Sequence, residues 1–176
     1  YLMVVYLVCF GLSLLFLYSS NIIKNSYLSS ITVFIALLFP CILAGLRSLQ
    51  VGTDLSVYVN PLFKLAVTSK SWTNYQSLYW IMDYRPRFVG DIEVGFTALV
   101  YAIAKLTSNF QFLLFIIQCL IVFPSFLGVR NLLSKKDNVW LAMLFFYLTL
   151  YNVSLNAVRQ FIAMSFAFLG LSYLIN

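Results

Sequence analysis

Long apolar stretches alternate with short polar ones along this chain, and the lengths of the apolar stretches carry most of the information. Residues 2–18 form a charge-free run, followed by a short polar loop with Lys24. A second charge-free run covers 25–46, with its apolar part at 28–46. Each is long enough to cross a bilayer core as a helix, which takes about 20 residues. From 47 to 93 the pattern breaks. Polar, charged and aromatic residues mix there, and 55–67 reads as a short amphipathic helix bent near Pro61. The apolar run at 94–106 is too short for a span and suits a re-entrant or interfacial helix. Residues 110–129 form a full span with a kink expected at Pro124. Further spans are predicted at 139–153 and 156–175. The predicted fold is an all-α polytopic transmembrane bundle of about five spans, with one short non-crossing helix and an external loop segment at 47–93.

Composition agrees with this pattern. The chain has 176 residues, 62% hydrophobic and only 9% charged, whereas soluble domains carry about 25% charged residues. The sequence begins at Tyr1 inside one apolar run and ends at Asn176 directly after another. It is therefore read as one transmembrane domain, 1–176, a segment of a longer protein cut at both ends, and no cleavable signal peptide is expected. Histidine is absent, which removes histidine-based nucleophile systems and histidine metal sites from this segment. Cys9, Cys41 and Cys119 form no CxxC pair, so neither a metal nor a disulfide is expected. The net charge of +6 lies in loops between spans, where it suits lipid headgroups and anionic lipid-linked molecules better than nucleic acid.

Charge also sets the expected topology. If 94–106 does not cross, Lys24 and the cluster Arg130, Lys135 and Lys136 fall on one side, the cytoplasm by the positive-inside rule. The 47–93 loop then lies outside, together with the start of the last helix. This loop holds four of the five acids and five of the eleven bases. Trp72, Tyr75, Tyr79, Trp80 and Tyr84 also fall in it, and such rings favour the headgroup level.

Three clusters carry candidate chemistry. The first is Arg47 with Gly52, Thr53, Asp54 and Tyr58. An arginine fork suits phosphate or carboxylate, and Gly52 suits a tight turn into a helix. The plainer reading makes Thr53 or Asp54 an N-cap and lets Arg47 snorkel to headgroups. The second is Asn156, Arg159 and Gln160, spaced to share one helix face, with Asn152 extending the row. Snorkelling or an interhelical amide bond is its alternative. The third is Asp91 and Glu93 before the short apolar helix, where acids are also favoured by the helix dipole. Arg85 and Arg87 lie close enough in sequence to pair with them or to bind phosphate. In the chosen topology all three clusters face outward, and they are expected to line one membrane-surface pocket.

These clusters, in this order, resemble the EpsG family, Wzy-like membrane proteins of bacterial exopolysaccharide and capsule synthesis. The matching stretches are AGLRSLQVGTDLSVYVNPLF, EVGFTALVYAIAKL and NAVRQFIAMSFAFLGLSYLI. They span nearly the whole chain but only about the N-terminal half of a typical member. The resemblance implies a bacterial plasma-membrane, multi-pass polymerase of the glycosyltransferase type. It would join oligosaccharide repeat units carried on polyprenyl pyrophosphate at the outer face, with membrane lipids and other polysaccharide-assembly proteins as partners. No cofactor and no metal are expected. Carried over by position, Arg47, Asp54, Glu93 and Arg159 become candidate catalytic residues, and Gly52, Thr53, Tyr58, Asn156 and Gln160 candidate substrate-binding residues. The arginines suit the departing pyrophosphate, and Asp54 or Glu93 suits the role of base. Trp72, Tyr75 or Trp80 suit stacking on sugars. A transporter or flippase of the same lipid-linked glycans, and a non-catalytic subunit of an assembly complex, are the rival readings.

Overall fold

The computed structural model describes residues 2–48, 51–82, 84–133 and 138–175. Lys135 and Lys136, part of the expected basic cluster, lie outside them. Two compact units are present, one formed by Tyr1–Leu46 with Phe115–Asn176 and the other by Arg47–Leu114.

The first unit holds helices α1 (Leu2–Ile22) and α2 (Ser26–Gly45), most of α6 (Phe110–Leu132), then α7 (Val139–Thr149), α8 (Tyr151–Asn156) and α9 (Val158–Ile175). The fold is the all-α polytopic one expected. Among the described residues, four helices are long and apolar enough to cross a membrane, namely α1, α2, α6 and α9. The fifth expected span, at 139–153, is instead divided between α7 and α8 at Leu150, and neither piece alone reaches spanning length. Next to the division the Thr149 hydroxyl donates to Phe145 O at 2.7 Å. Such back-bonding competes with the backbone ladder and bends helices.

In this unit large apolar side chains stand on the outside as well as in the core. On α1 the buried face is Phe10, Ser13, Leu17 and Ser20, while Met3, Val4, Leu7 and Leu15 are exposed. That suits a helix whose outer solvent is lipid and whose polar groups must pair inside the protein. Ser13 meets the Tyr147 hydroxyl at 2.9 Å, and Phe10 stacks on Tyr147 with centroids 5.0 Å apart. The Tyr151 hydroxyl donates to Pro40 O at 2.7 Å. Gln118 Nε2 donates to Ser154 Oγ at 3.3 Å. Helices α2 and α6 run antiparallel, since Phe34 faces Phe123 and Cys41 lies beside Cys119. The α1–α2 turn that carries Lys24 therefore sits at the same end of the unit as Arg130, and a polar cleft lined by Ser20, Asn21, Ser26 and Arg130 joins them. Gly45 and the α8–α9 junction lie at the other end.

Pro124 shows how the unit tolerates a helix breaker. A proline has no N–H for the carbonyl four residues back, which here is Leu120 O. Ser165 Oγ of α9 lies 2.9 Å from that oxygen and 2.8 Å from Ile162 O of its own helix, so its one proton is shared between the two carbonyls.

The second unit holds a π-turn (Leu55–Val59), α3 (Asn60–Thr68), α4 (Trp72–Ser77), strands β1 (Tyr79–Met82) and β2 (Arg85–Phe88), a 3-10 turn (Val89–Asp91) and α5 (Val94–Leu106). The hairpin was not expected from sequence. β1 and β2 are antiparallel with Trp80 opposite Arg87 and Ile81 opposite Pro86. Pro86 is admissible because each strand of a two-stranded ribbon has an open edge. Tyr84 takes a positive φ of 61° in the connection.

The Leu120 carbonyl yields a test. Ser165→Ala should cost about 1–2 kcal/mol by leaving a buried acceptor unmet. In a Pro124→Ala background, where the helix regains its own donor, the same change should cost clearly less. Thermal unfolding of the four proteins in one detergent measures this; equal costs in both backgrounds would refute the assignment.

Candidate functional site

The Arg47–Leu114 unit contains six of the expected site residues. Val51 N bonds to Ser48 O at 3.0 Å, and Gly52 follows with φ 103°. That conformation is costly for any residue with a Cβ. The turn delivers the chain into the π-turn, whose signature bond runs from Asn60 N to Leu55 O. Two features explain the wide turn. Pro61 has no N–H to offer Val57 O, and Trp80 Nε1 of β1 donates to that carbonyl at 3.1 Å. The hairpin therefore completes a helix start that proline leaves unfinished.

The π-turn fixes Asp54 and Tyr58. The Tyr58 hydroxyl donates to Asp54 Oδ2 at 2.5 Å. Asp54 makes no side-chain cap to the amides that follow, so the capping account of this acid does not hold. Tyr58 is buried, and its ring meets Phe96 edge-on at 6.1 Å. Phe96 lies three residues beyond Glu93, so this contact joins the first and third clusters. Glu93 is exposed and likewise makes no side-chain cap on α5. Instead, the first turn of α5 is tied by Thr97, whose hydroxyl donates to Val94 O at 3.1 Å and accepts from Gln76 Nε2 at 3.3 Å. Arg47 is 8% exposed. It is held within the protein rather than extended to headgroups, so the snorkelling account of it fails too. Thr53 is exposed, and its carbonyl accepts from Ser56 Oγ at 3.1 Å.

The aromatic expectations are corrected in part. Tyr75 is fully buried and stacks on Tyr101 at 5.4 Å, with Trp72 edge-on to Tyr101 at 5.3 Å. Its ring belongs to a core and has no face for a sugar, and burial pushes the phenol pKa up. Trp80 spends its donor on Val57. Lys105 sits over the Tyr101 ring at 5.2 Å and donates to Ser69 O, closing this small core from the α5 side. Arg85 and Arg87 are exposed on β2.

Asn156, Arg159 and Gln160 belong to the other unit, and the expectation of a single helix beneath them is corrected. Asn156 ends α8, and its side chain donates to Asn152 O at 3.3 Å. Ala157 leaves the helical region with ψ 57°, and α9 begins at Val158. Even so, the buried positions run 151, 154, 155 and 158, while Asn152, Asn156 and Gln160 are exposed and Arg159 is half-buried. The polar row survives the break because α8 and the first turn of α9 bury the same stripe. That this row shares a cavity with Arg47 remains an expectation from sequence.

The two motif glycines should separate in experiment. Gly52→Ala should lose about 1–3 kcal/mol of stability because of its positive φ. Gly95→Ala, where an added Cβ meets open space on α5, should be neutral or gain about 0.4–1 kcal/mol. Parallel melting curves check this, and equal losses would contradict the turn geometry.

The profile of the EpsG family matches residues 30–176. No curated protein and no solved structure matches the chain. The matched span takes in the Arg47–Tyr58 turn, the Glu93 helix start and the Asn156–Gln160 junction. The chain thus belongs to the EpsG family, and it is an exopolysaccharide-related membrane protein.

Proposed function

We propose that this protein is a polymerase of polyprenyl-pyrophosphate-linked oligosaccharide repeat units, acting at the outer face of a bacterial plasma membrane. The observation that carries the reading is the Tyr58–Asp54 hydrogen bond at 2.5 Å. It holds a carboxylate at the mouth of a π-turn, in the unit that also contains buried Arg47. The phenol donor fixes the orientation of the carboxylate. π-Turns inside helices occur frequently at functional sites.

The reaction assigned to these groups is glycosyl transfer. A hydroxyl oxygen of the acceptor sugar attacks the anomeric carbon of the donor. The bond from that carbon to the pyrophosphate oxygen breaks, and the electron pair leaves with the lipid pyrophosphate. The hydroxyl proton passes to Asp54, with Glu93 as the second candidate acceptor. Arg47 and Arg159 each offer the planar, charge-assisted donors that a departing pyrophosphate requires. Gly52 and Thr53 shape the turn, while Asn156 and Gln160 supply amides able both to donate to and accept from sugar hydroxyls.

The test uses the full-length protein, purified into bilayers and supplied with lipid-linked repeat units. Asp54→Asn and Arg47→Ala should each lower the polymerisation rate by about 10²–10⁴-fold. Tyr58→Phe should lower it less, by roughly tenfold, since the carboxylate remains. Arg47→Lys should not restore the wild-type rate, because an ammonium lacks the bidentate fork. Polymer of normal length and yield from Asp54→Asn and Arg47→Ala, at equal protein levels, would refute the proposal. Movement of lipid-linked repeats across the bilayer without lengthening would identify a transporter instead.

A further inference from the structure

The polar cleft between the α1–α2 turn, the end of α6 and the start of α7 has a volume of about 280 Å³ and lies within the Tyr1–Leu46/Phe115–Asn176 unit. It grades from polar to apolar with depth. Ser26 and Arg130 stand at helix ends, while Leu17, Val33 and Phe126 line it further along α1, α2 and α6. At the helical rise those positions lie about 8–10 Å in from the ends. Trp140 of the lining meets Tyr18 edge-on at 5.9 Å, and such rings favour the headgroup level. The polar groups of the cleft divide sharply into acceptors and donors. Ser20 Oγ donates to Leu17 O at 2.7 Å, Ser29 Oγ to Ser20 O at 2.8 Å and Ser30 Oγ to Ser26 O at 2.9 Å. With their protons spent, these three hydroxyls offer the cleft lone pairs only. Arg130 is the reverse: it is exposed, carries donors only, and has no hydrogen bond or ion pair among the described residues. Lys24, exposed in the turn next to Ile23 of the lining, adds a second positive charge.

A ligand that satisfies both halves has an anionic group for the guanidinium fork and hydroxyl donors for the serine oxygens. The apolar depth adds a third requirement, which a wholly soluble phosphate leaves unmet. We propose that this cleft binds the glycerol-phosphate headgroup of an anionic phospholipid, at the end of the unit opposite Gly45 and the α8–α9 junction. The phosphate meets Arg130, the glycerol hydroxyls donate to the serine oxygens, and the start of the acyl region lies against Val33 and Phe126. The cleft is at the lower bound of small-molecule sites, about 300 Å³, which suits one headgroup and not an oligosaccharide. An arginine that merely snorkels to the surface would attract every anionic lipid alike; serines without protons to give select a headgroup that brings its own. The site lies in the spans and does not depend on the polymerase reading.

The probe is phosphatidylglycerol, titrated onto delipidated full-length protein in detergent and counted by native mass spectrometry. Phosphatidylethanol is the comparison lipid, with the same charge and chains but no headgroup hydroxyl. Phosphatidylglycerol should bind about tenfold more tightly. Arg130→Ala should weaken its binding about tenfold, and Arg130→Lys should recover only part of the loss. Ser26→Leu, at an exposed position on the cleft wall, should fill the mouth and weaken the lipid by a similar factor with every charge kept. Soluble glycerol 3-phosphate, which lacks the chain, should displace the lipid only at concentrations about a hundredfold higher. Melting temperatures near that of the wild type identify folded variants; if Arg130→Ala melts lower, Arg130→Gln takes its place with the same loss expected. Equal affinity for the two lipids, or undiminished binding in Arg130→Ala and Ser26→Leu, overturns the proposal. Displacement by glycerol 3-phosphate at concentrations matching the lipid overturns the lipid assignment and gives the cleft to a soluble phosphate.

Discussion

A carbonyl inside an apolar medium cannot wait for water, and much of this structure is organised around that constraint. Prolines sharpen it, because each leaves the oxygen four residues earlier without its helical donor. At Pro124 the orphan is Leu120 O, and a serine from α9 offers it a hydroxyl shared with Ile162 O. At Pro61 the orphan is Val57 O, and an indole from the hairpin does so. In both places a local defect in one helix becomes a bond to another element. The prolines therefore specify tertiary neighbours as well as bends. The serines and tyrosines on the inward faces of α1, α7 and α8 work in the same sense, pairing with each other or with carbonyls while apolar side chains face outward.

The spans were legible because their signal is length and hydropathy, which no tertiary context overrides. The family was legible because three short stretches keep their order and spacing. Breaks inside apolar runs were not. Beside the division at Leu150 the Thr149 hydroxyl turns back on its own helix, and beside the one at Ala157 an asparagine does the same. Both are local backbone departures, invisible to periodicity. The hairpin was masked by Pro86 and by two arginines, which in a longer sheet would argue against a strand. Tyr75 illustrates a different limit, since composition places an aromatic residue near an interface but cannot say whether its ring faces water or a core.

For the candidate site, sequence supplied the residues and structure supplied their relations. It had offered capping and snorkelling as sufficient accounts of Asp54, Glu93 and Arg47. Those accounts fail on geometry: neither acid caps a helix, and the guanidinium is buried. What replaces them is a chain of contacts from Asp54 through Tyr58 to Phe96, which ties the Gly52 turn to the helix that follows Glu93. The signal for it was present in the spacing of Asp54 and Tyr58, one helical turn apart, though nothing in the sequence announced that the turn would be a wide one.

The π-turn at 55–59 carries one residue more than an α-helical turn would need. Each residue advances a helix by about 100°, so everything after it on α3 is rotated by that amount relative to an uninterrupted helix. A homologous chain lacking the extra residue would bury the same face of α3 only if the two sequences were slipped past one another by one position. Alignments through this segment should therefore place a single-residue gap inside the Asp54-to-Asn60 interval, and a gap-free pairing there would equate residues that point in different directions.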